Sequence, residues 1–173
     1  YQTSKIFHSA ATYPNHQFGK SMKTISELII SGVNTKVYYV SLGSFDTHFN
    51  QQKRQGELLH QLAETIKVFM DDLKSNGRAN EVLLMTFSEF GRRVAENASL
   101  GTDHGTASQI FLIGNNLKGK GVYNEAPNLE DLDDGDLKFT VDFKNIYATL
   151  LRKWLQTDSD KILGNKFSLM DFI

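Results

Sequence analysis

Three short segments of the chain concentrate polar side chains that bind metals or transfer protons. They are residues 45–48 (FDTH), 88–93 (SEFGRR) and 101–105 (GTDHG). Together they supply two histidines, three carboxylates and two arginines: Asp46, His48, Glu89, Arg92, Arg93, Asp103 and His104. Imidazole and carboxylate ligands together suit Zn²⁺, Mn²⁺ or Fe²⁺ better than they suit calcium. The planar guanidinium of Arg92 can hold a phosphate or sulfate beside such a metal.

The apolar residues follow helical patterns in some parts of the chain and strand patterns in others. Spacings of three and four residues predict helices over residues 17–31 and about 51–75, each closed by a glycine. Short β-branched or aromatic runs predict buried strands at 36–42, 82–87 and 109–113. Strands that alternate with long helices predict an α/β fold with a mainly parallel sheet and helices on both faces.

The predicted sheet places the polar segments. Residues 45–48 and 88–93 each follow a predicted strand, and the carboxyl ends of parallel strands share one edge of an open sheet. The segment 101–105 precedes a strand instead. It reaches the same edge if residues 93–108 pass over that edge before the strand begins.

Each polar segment has a purely structural explanation when it is taken alone. Asp-Thr-His can be a helix cap with a surface histidine, Ser-Glu-Phe-Gly-Arg can hold a Glu–Arg ion pair, and Asp-His-Gly can be a turn. His8, His16 and His60 lack comparable neighbours. The sequence contains neither a Gly-x-Ser-x-Gly elbow nor a nucleotide-binding glycine motif. The expected convergence of three segments on one sheet edge favours a shared site.

The C-terminal third of the chain has a different character. Residues 114–137 are rich in Gly, Asn, Pro and acidic side chains and predict a surface excursion. Their acidic residues lack the alternating ligands of a calcium loop. A short strand is expected at 139–141, followed by a helix with Asp142 as its N-cap. Residues 1–173 show no repeat or linker and are interpreted as a single domain.

Composition excludes several classes of protein. The chain has 173 residues, with 19 basic against 20 acidic groups and a net charge of -1. This balance argues against a nucleic-acid partner, which requires clustered Lys and Arg. Without cysteine the chain has no disulfide and no thiol chemistry, and no transmembrane segment is predicted. The start at Tyr1 leads us to expect a processed product or a piece of a longer protein.

Several blocks of the sequence resemble one bacterial protein family. They include GSFDTHFNQ (43–51), TFSEFGRRVAEN (86–97), GTDHGTASQIFLIG (101–114) and FTVDFKNIYATLLRKWL (139–155). These blocks are similar to the sulfatase-like domain of unknown function, family fifteen-oh-one, over about residues 13–167. The resemblance implies an alkaline phosphatase-like fold of which this chain is the C-terminal portion. It also implies a periplasmic or secreted location.

The resemblance also suggests roles for individual residues. Enzymes of that superfamily hold two metals through an Asp-x-x-x-His block, an Asp-His pair after a strand and a late His before another strand. Asp46 resembles the first Asp, with His48 two residues later instead of four. Glu89 and Phe90 stand at the Asp-His pair, and a phenyl ring cannot bind a metal. His104 resembles the late His.

The resemblance therefore implies a divalent metal, with zinc as the candidate. The implied ligands are Asp46, His48, Glu89, Asp103 and His104, and the implied catalytic residues are Arg92 and Glu89. Three of these ligands, Asp46, His48 and His104, can leave a fourth position open, as catalytic zinc requires.

Two functions follow from the resemblance. The first is an exported hydrolase of phosphate or sulfate esters, acting on a small anionic or glycan-linked substrate. Its nucleophile is expected upstream of Tyr1, so this portion alone is expected to be inactive. The alternative, favoured by Phe90, is a catalytically degenerate module that binds a surface ligand or a protein partner.

Overall fold

The computed structural model describes residues 6–173. Tyr1, which led us to expect a piece of a longer protein, lies outside these residues. The chain forms two compact units. The first unit comprises residues up to Val82 together with Glu96–Thr102, and the second comprises Leu83–Ala95 and Asp103–Ile173.

Two long helices build the first unit. Helix α1 spans Gln17–Ile30 and helix α2 spans Gln51–Ser75, which confirms both helices predicted from apolar spacing. The His16 side chain begins α1, because its Nδ1 accepts a hydrogen bond from the Gly19 N–H at 3.1 Å. Gly32 ends α1 with a φ of +74°, a conformation that glycine adopts without a steric penalty.

Helix α1 packs against α2 through an apolar core. The buried apolar side chains are Phe18 and Met22 of α1 and Leu58, Ile66, Phe69 and Leu73 of α2. Burial of each such side chain contributes about 1.5–3 kcal/mol to stability. The apolar spacing of α1 predicts a buried stripe of Phe18, Met22, Ile25 and Ile29. The buried face is rotated from that stripe, because Ser26 is fully buried while Ile25 and Ile29 are half-buried.

A buried carboxylate explains this rotation. Asp72 of α2 is 6% exposed, and its Oδ2 accepts hydrogen bonds from Ser26 at 2.7 Å, Ser9 at 2.8 Å and Tyr13 at 3.0 Å. The Asn76 amide donates to Oδ1 at 3.2 Å. Burial raises the pKa of the Tyr13 phenol, which therefore acts as a donor. Asp72 thus joins α1, α2 and the segment before α1.

Residues 36–42 do not form the buried strand that their composition predicted. They have no assigned secondary structure, and the side chains of Val37 and Tyr39 are 66% and 74% exposed. The prediction was wrong because β-branched and aromatic content describes a good fit to a packed sheet surface rather than a backbone preference.

The second unit contains antiparallel strand pairs. Strand β1 (Leu84–Met85) pairs with β4 (Leu112–Ile113), and β2 (Gly91–Arg92) pairs with β3 (His104–Gly105). Strand β5 (Leu132–Asp133) pairs with β6 (Asp136–Leu137). Every strand assigned among the described residues has two residues and an antiparallel partner.

The predicted fold, a mainly parallel sheet with helices on both faces in the alkaline phosphatase-like manner, is therefore wrong. A parallel pair needs a long crossover, usually a helix, between its strands. Here the chain between β1 and β4 doubles back through the β2–β3 hairpin, so the runs 82–87 and 109–113 meet in opposite directions. Apolar strand patterns alone do not reveal the direction of pairing.

Short helices and loops complete the second unit. Helix α3 spans Phe143–Thr149, continues as a π-helical turn over Leu150–Trp154, and is followed by α4 at Ser159–Leu163. Asp142 is the N-cap of α3, as predicted, since its carboxylate accepts from the Lys144 N–H at 2.9 Å. The short strand expected at 139–141 does not form. No helix among the described residues is both long enough and apolar enough to cross a membrane.

Candidate metal centre

Asp46 and His48 lie in the loop that leads into α2. The His48 Nε2 is 2.9 Å from the Asp46 Oδ1, and the two side chains are 45% and 61% exposed, respectively. Thr47 between them is buried and anchors the loop to the first turns of α2. Its hydroxyl accepts from the Gln51 amide and donates to Gln55, both at 3.0 Å. Thr47 therefore fixes the loop, while the side chains of Asp46 and His48 lie beside each other at the surface.

The tip of the β2–β3 hairpin holds the backbone of this loop. The Asn97 amide nitrogen donates to the His48 carbonyl at 3.0 Å. The Asn97 side-chain oxygen accepts from the Ser99 and Gly101 N–H groups at 2.9 and 3.1 Å. Asn97 therefore stabilises the tip and also connects it to the backbone of His48.

The tip lies so close to the loop that one position must be glycine, and two other residues adopt unusual backbone conformations. A Cβ at Gly101 would lie 2.3 Å from the His48 carbonyl, so only glycine fits. Asn50 and Leu100 have φ values of 42° and 59°, in the left-handed region. Such conformations cost about 1–3 kcal/mol and cluster at functional sites.

His104 lies on strand β3, directly across from Arg92 on β2. The His104 imidazole stacks on the Phe90 ring, with centroids 3.7 Å apart and planes 9° from parallel. The Arg92 guanidinium lies over the Phe90 ring at 5.1 Å from its centroid. The three side chains form one stacked group in the second unit.

Asp136 holds the chain immediately after His104. Its Oδ2 accepts from the Thr106 N–H at 3.0 Å and from the Thr106 hydroxyl at 2.9 Å. Desolvation, the largest effect on this carboxyl, acts to raise its pKa, but the hydrogen bonds from Thr106 and Leu137 and the charge of Arg93 lower the pKa overall. The ionised form of Asp136 therefore anchors β3 from the β5–β6 hairpin.

Of the predicted ligands, Asp46 and His48 lie together in the first unit, whereas His104 belongs to the second. Glu89 and Asp103 also belong to the second unit, where both are exposed. The Asp103 carbonyl accepts from the Arg93 N–H at 3.0 Å and so extends the hairpin. The ligand roles of Glu89 and Asp103, and the catalytic roles of Arg92 and Glu89, stay predictions.

The donor set fits a divalent transition metal. One carboxylate and two imidazoles form the kind of three-ligand set that catalytic zinc sites use, with a position left for water or substrate. Two ligand atoms about 2.0–2.1 Å from a tetrahedral zinc stand about 3.3 Å apart. The 2.9 Å between Asp46 and His48 is within a few tenths of an ångström of that separation.

Sequence reasoning did not identify Asn97 or Asp136. The Asn97-Ala-Ser-Leu-Gly101 stretch has the composition of a turn, which is a signal for the tip but not for its contact with His48. The contact between Asp136 and Thr106 joins residues 30 positions apart and has no local signal.

Comparison with known proteins gives one informative result. No curated protein and no solved structure matches the chain significantly. Residues 2–167 match the family described as protein of unknown function DUF1501. This match confirms the family that the sequence blocks resembled, and it does not extend to sulfatases or alkaline phosphatases. The chain belongs to the DUF1501 family.

Proposed function

We propose that this protein is a metal-dependent hydrolase of phosphate or sulfate esters, with one divalent ion held by Asp46, His48 and His104. The main observation is the Asp46–His48 pair, whose donor atoms are 2.9 Å apart. Hydrogen bonds between the buried Thr47 and helix α2 hold the loop that carries this pair. A carboxylate and an imidazole whose donor atoms lie this close can bind one metal ion together.

Chain connectivity supports the inclusion of His104. Gly101 lies against the His48 backbone, and His104 follows three residues later. Three extended residues span at most about 11 Å, which sets an upper bound on the distance between the Gly101 and His104 backbones. The stack on Phe90 and the Thr106–Asp136 anchor keep β3 ordered on the other side of the hairpin.

The chain's own residues would bind and orient the ester. A divalent ion would supply Lewis-acid polarisation of the phosphoryl or sulfuryl oxygen. Arg92, with its planar fork of donors, would hold the anionic oxygens. Glu89 would act as the general acid or base, and a small anionic or glycan-linked ester would be the substrate. We also propose that the protein works in the periplasm or outside the cell.

We propose one metal rather than two. Phe90 stands where the resembled superfamily has a ligand histidine, and its ring packs on His104. A phenyl ring has no lone pair to offer a second ion. Zinc is the candidate because two imidazoles and a carboxylate suit it well.

The test is ester hydrolysis by the full-length protein, purified without chelators. Release of p-nitrophenol from p-nitrophenyl phosphate and p-nitrophenyl sulfate is followed with added Zn²⁺ or Mn²⁺. We expect metal-dependent turnover that is lost in Asp46→Ala and in Arg92→Ala but kept in His60→Ala. His60 is the matched control, because it pairs with Glu64 on the exposed face of α2. Turnover unchanged by Asp46→Ala would contradict the proposal.

A second candidate function is favoured by Phe90. A protein that lacks one ligand of the resembled superfamily can keep an anion-binding metal site without turnover. Under this alternative, the wild type binds Zn²⁺ and inorganic phosphate strengthens that binding, yet neither ester is hydrolysed. The same Asp46→Ala variant loses the binding, so the two functions differ only in product formation.

A further inference from the structure

Phe90 covers one face of the His104 imidazole. The ring centroids are 3.7 Å apart and the planes differ by 9°, so the two faces are in direct contact. Both imidazole nitrogens lie on the edge of the ring, and the contact with Phe90 involves only its face. The contact therefore restrains the orientation of the imidazole without occupying its metal-binding atoms.

The hairpin builds this contact from its register. Arg92 and His104 are directly paired residues, so their side chains lie on the same face of the β2–β3 ribbon. Phe90 precedes Arg92 by two residues and shares that face. Gly91 between them is buried, and a Cβ there would lie 1.7 Å from the Ala107 carbonyl oxygen. The backbone is thus held where Phe90 reaches diagonally to His104.

Arg92 contacts the Phe90 ring of this stack. Its guanidinium carbon lies 5.1 Å from the Phe90 centroid, within the range of a cation–π interaction. This contact keeps the half-buried Phe90 ring in place, where an aromatic side chain would otherwise sample several rotamers.

We propose that Phe90 is a positioning residue that orients the His104 imidazole for metal binding. This inference rests on the proposed metal site. An exposed histidine loses rotamer freedom when it binds a metal, whereas a histidine already stacked on a fixed ring has lost that freedom beforehand. Groups that orient metal ligands in this way typically change metal affinity by about 10–100-fold when removed.

Two measurements on the wild type, Phe90→Leu and Phe90→Tyr test this role. The first is the ¹H–¹³C NMR spectrum of the histidine rings in metal-free protein, where the Phe90 ring current shifts the His104 signals upfield. The second is calorimetric titration with Zn²⁺ alone. Phe90→Leu keeps apolar bulk but removes the ring face, and Phe90→Tyr keeps the ring. Phe139→Ala, at an aromatic residue 61% exposed, is the matched control.

We expect Phe90→Leu to move the His104 signals downfield and to weaken Zn²⁺ binding by about 10–100-fold. Phe90→Tyr should restore both, and Phe139→Ala should change neither. Circular dichroism checks that each variant is folded. If the wild type binds Zn²⁺ and Phe90→Leu binds it equally well, or leaves the His104 signals in place, the positioning role is overturned and the metal site stands. If the wild type binds no Zn²⁺, both fall.

Discussion

Two aspartates of the first unit, Asp72 and Asp46, have opposite environments. Asp72 is 6% exposed and its carboxylate receives three hydroxyl hydrogen bonds and one from an amide. The Asp46 side chain is 61% exposed and lies 2.9 Å from the His48 imidazole. A buried carboxylate must be satisfied by the protein, whereas an exposed one beside an imidazole can accept a metal. Burial and partner type therefore separate a structural acid from a candidate ligand.

The partners of the two residues give the same distinction. Ser9, Tyr13 and Ser26 come from two parts of the chain distant in sequence from Asp72, so that cluster closes the helical core. Thr47, by contrast, lies between Asp46 and His48 and bonds to Gln51 and Gln55, and Asn97 donates to the His48 carbonyl. The first arrangement stabilises the fold, and the second positions a loop whose side chains remain accessible.

The largest expected effect on stability is that of Asp72→Ala. It leaves the buried hydroxyls of Ser9 and Ser26 and the half-buried hydroxyl of Tyr13 without their acceptor, which should lower the free energy of unfolding by on the order of 3 kcal/mol. Urea denaturation followed by circular dichroism measures the loss. Asp71→Ala, next along the helix but exposed and paired with Lys67, is the control and should have little effect. Equal losses in the two variants would erase the difference between the buried and the exposed acid.

Asp46→Ala should reduce metal binding but should hardly change stability, the opposite of Asp72→Ala. We expect Zn²⁺ affinity to fall by more than about 100-fold, beyond the effect of losing an orienting group, with little change in the thermal midpoint. Glu64→Ala is a matched control, because Glu64 pairs with His60 at 3.8 Å on an exposed helix face. Calorimetric titration and thermal melts of both variants provide the comparison. A large fall in stability without loss of zinc binding would make Asp46 a structural residue like Asp72.

Asn97→Ala should have an intermediate effect on both properties. Removing the donor to the His48 carbonyl should weaken Zn²⁺ binding by about 10-fold and lower the free energy of unfolding by about 1 kcal/mol. Ser99→Ala is the control, because the Ser99 backbone makes the hydrogen bonds to Asn97 and Asn50 and is kept in this variant. If Asn97→Ala leaves zinc affinity unchanged, the tip does not position His48.

The smallest expected effect is that of a third kind of carboxylate, Asp171, which is exposed and paired with lysines. The hydrogen bond from Lys118, followed by one from Lys153, lowers the pKa of Asp171. Because the folded pKa is the lower one, the stabilisation is present above the unfolded pKa of about 4 and is lost as the pH falls through the folded value. Thermal melts below about pH 4 should show this loss in the wild type and a smaller one in Asp171→Asn. Identical acid dependence would show that the pairs contribute nothing.

The helices could be predicted from the sequence because their signals are local. Apolar spacing gave α1 and α2, and Asp142 was recognisable as a cap from its position before an apolar run. The sheet could not be predicted, because strand direction depends on which distant segment pairs, and the 91–105 hairpin turns the chain back. A strand pattern at 36–42 fits a packed surface that this segment does not have.

In the candidate site, too, the residue types could be predicted from the sequence, but the long-range contacts could not. Asp46, His48 and His104 were recognisable by residue type and by their position in short Gly-flanked segments. The Asn97–His48 contact spans 49 residues and the Thr106–Asp136 contact spans 30, so neither leaves a local pattern. Phe90 was noticed as the loss of a ligand, while its stack on His104 depends on hairpin register.

The most direct test of the metal site is the zinc stoichiometry of the wild type and of His104→Ala. Chelator-free protein is dialysed against Zn²⁺ and analysed by mass spectrometry for metal per chain, with His60→Ala as the control. We expect one zinc per chain in the wild type and in His60→Ala, and a stoichiometric loss in His104→Ala. No bound zinc in the wild type, or one zinc retained by His104→Ala, would contradict it.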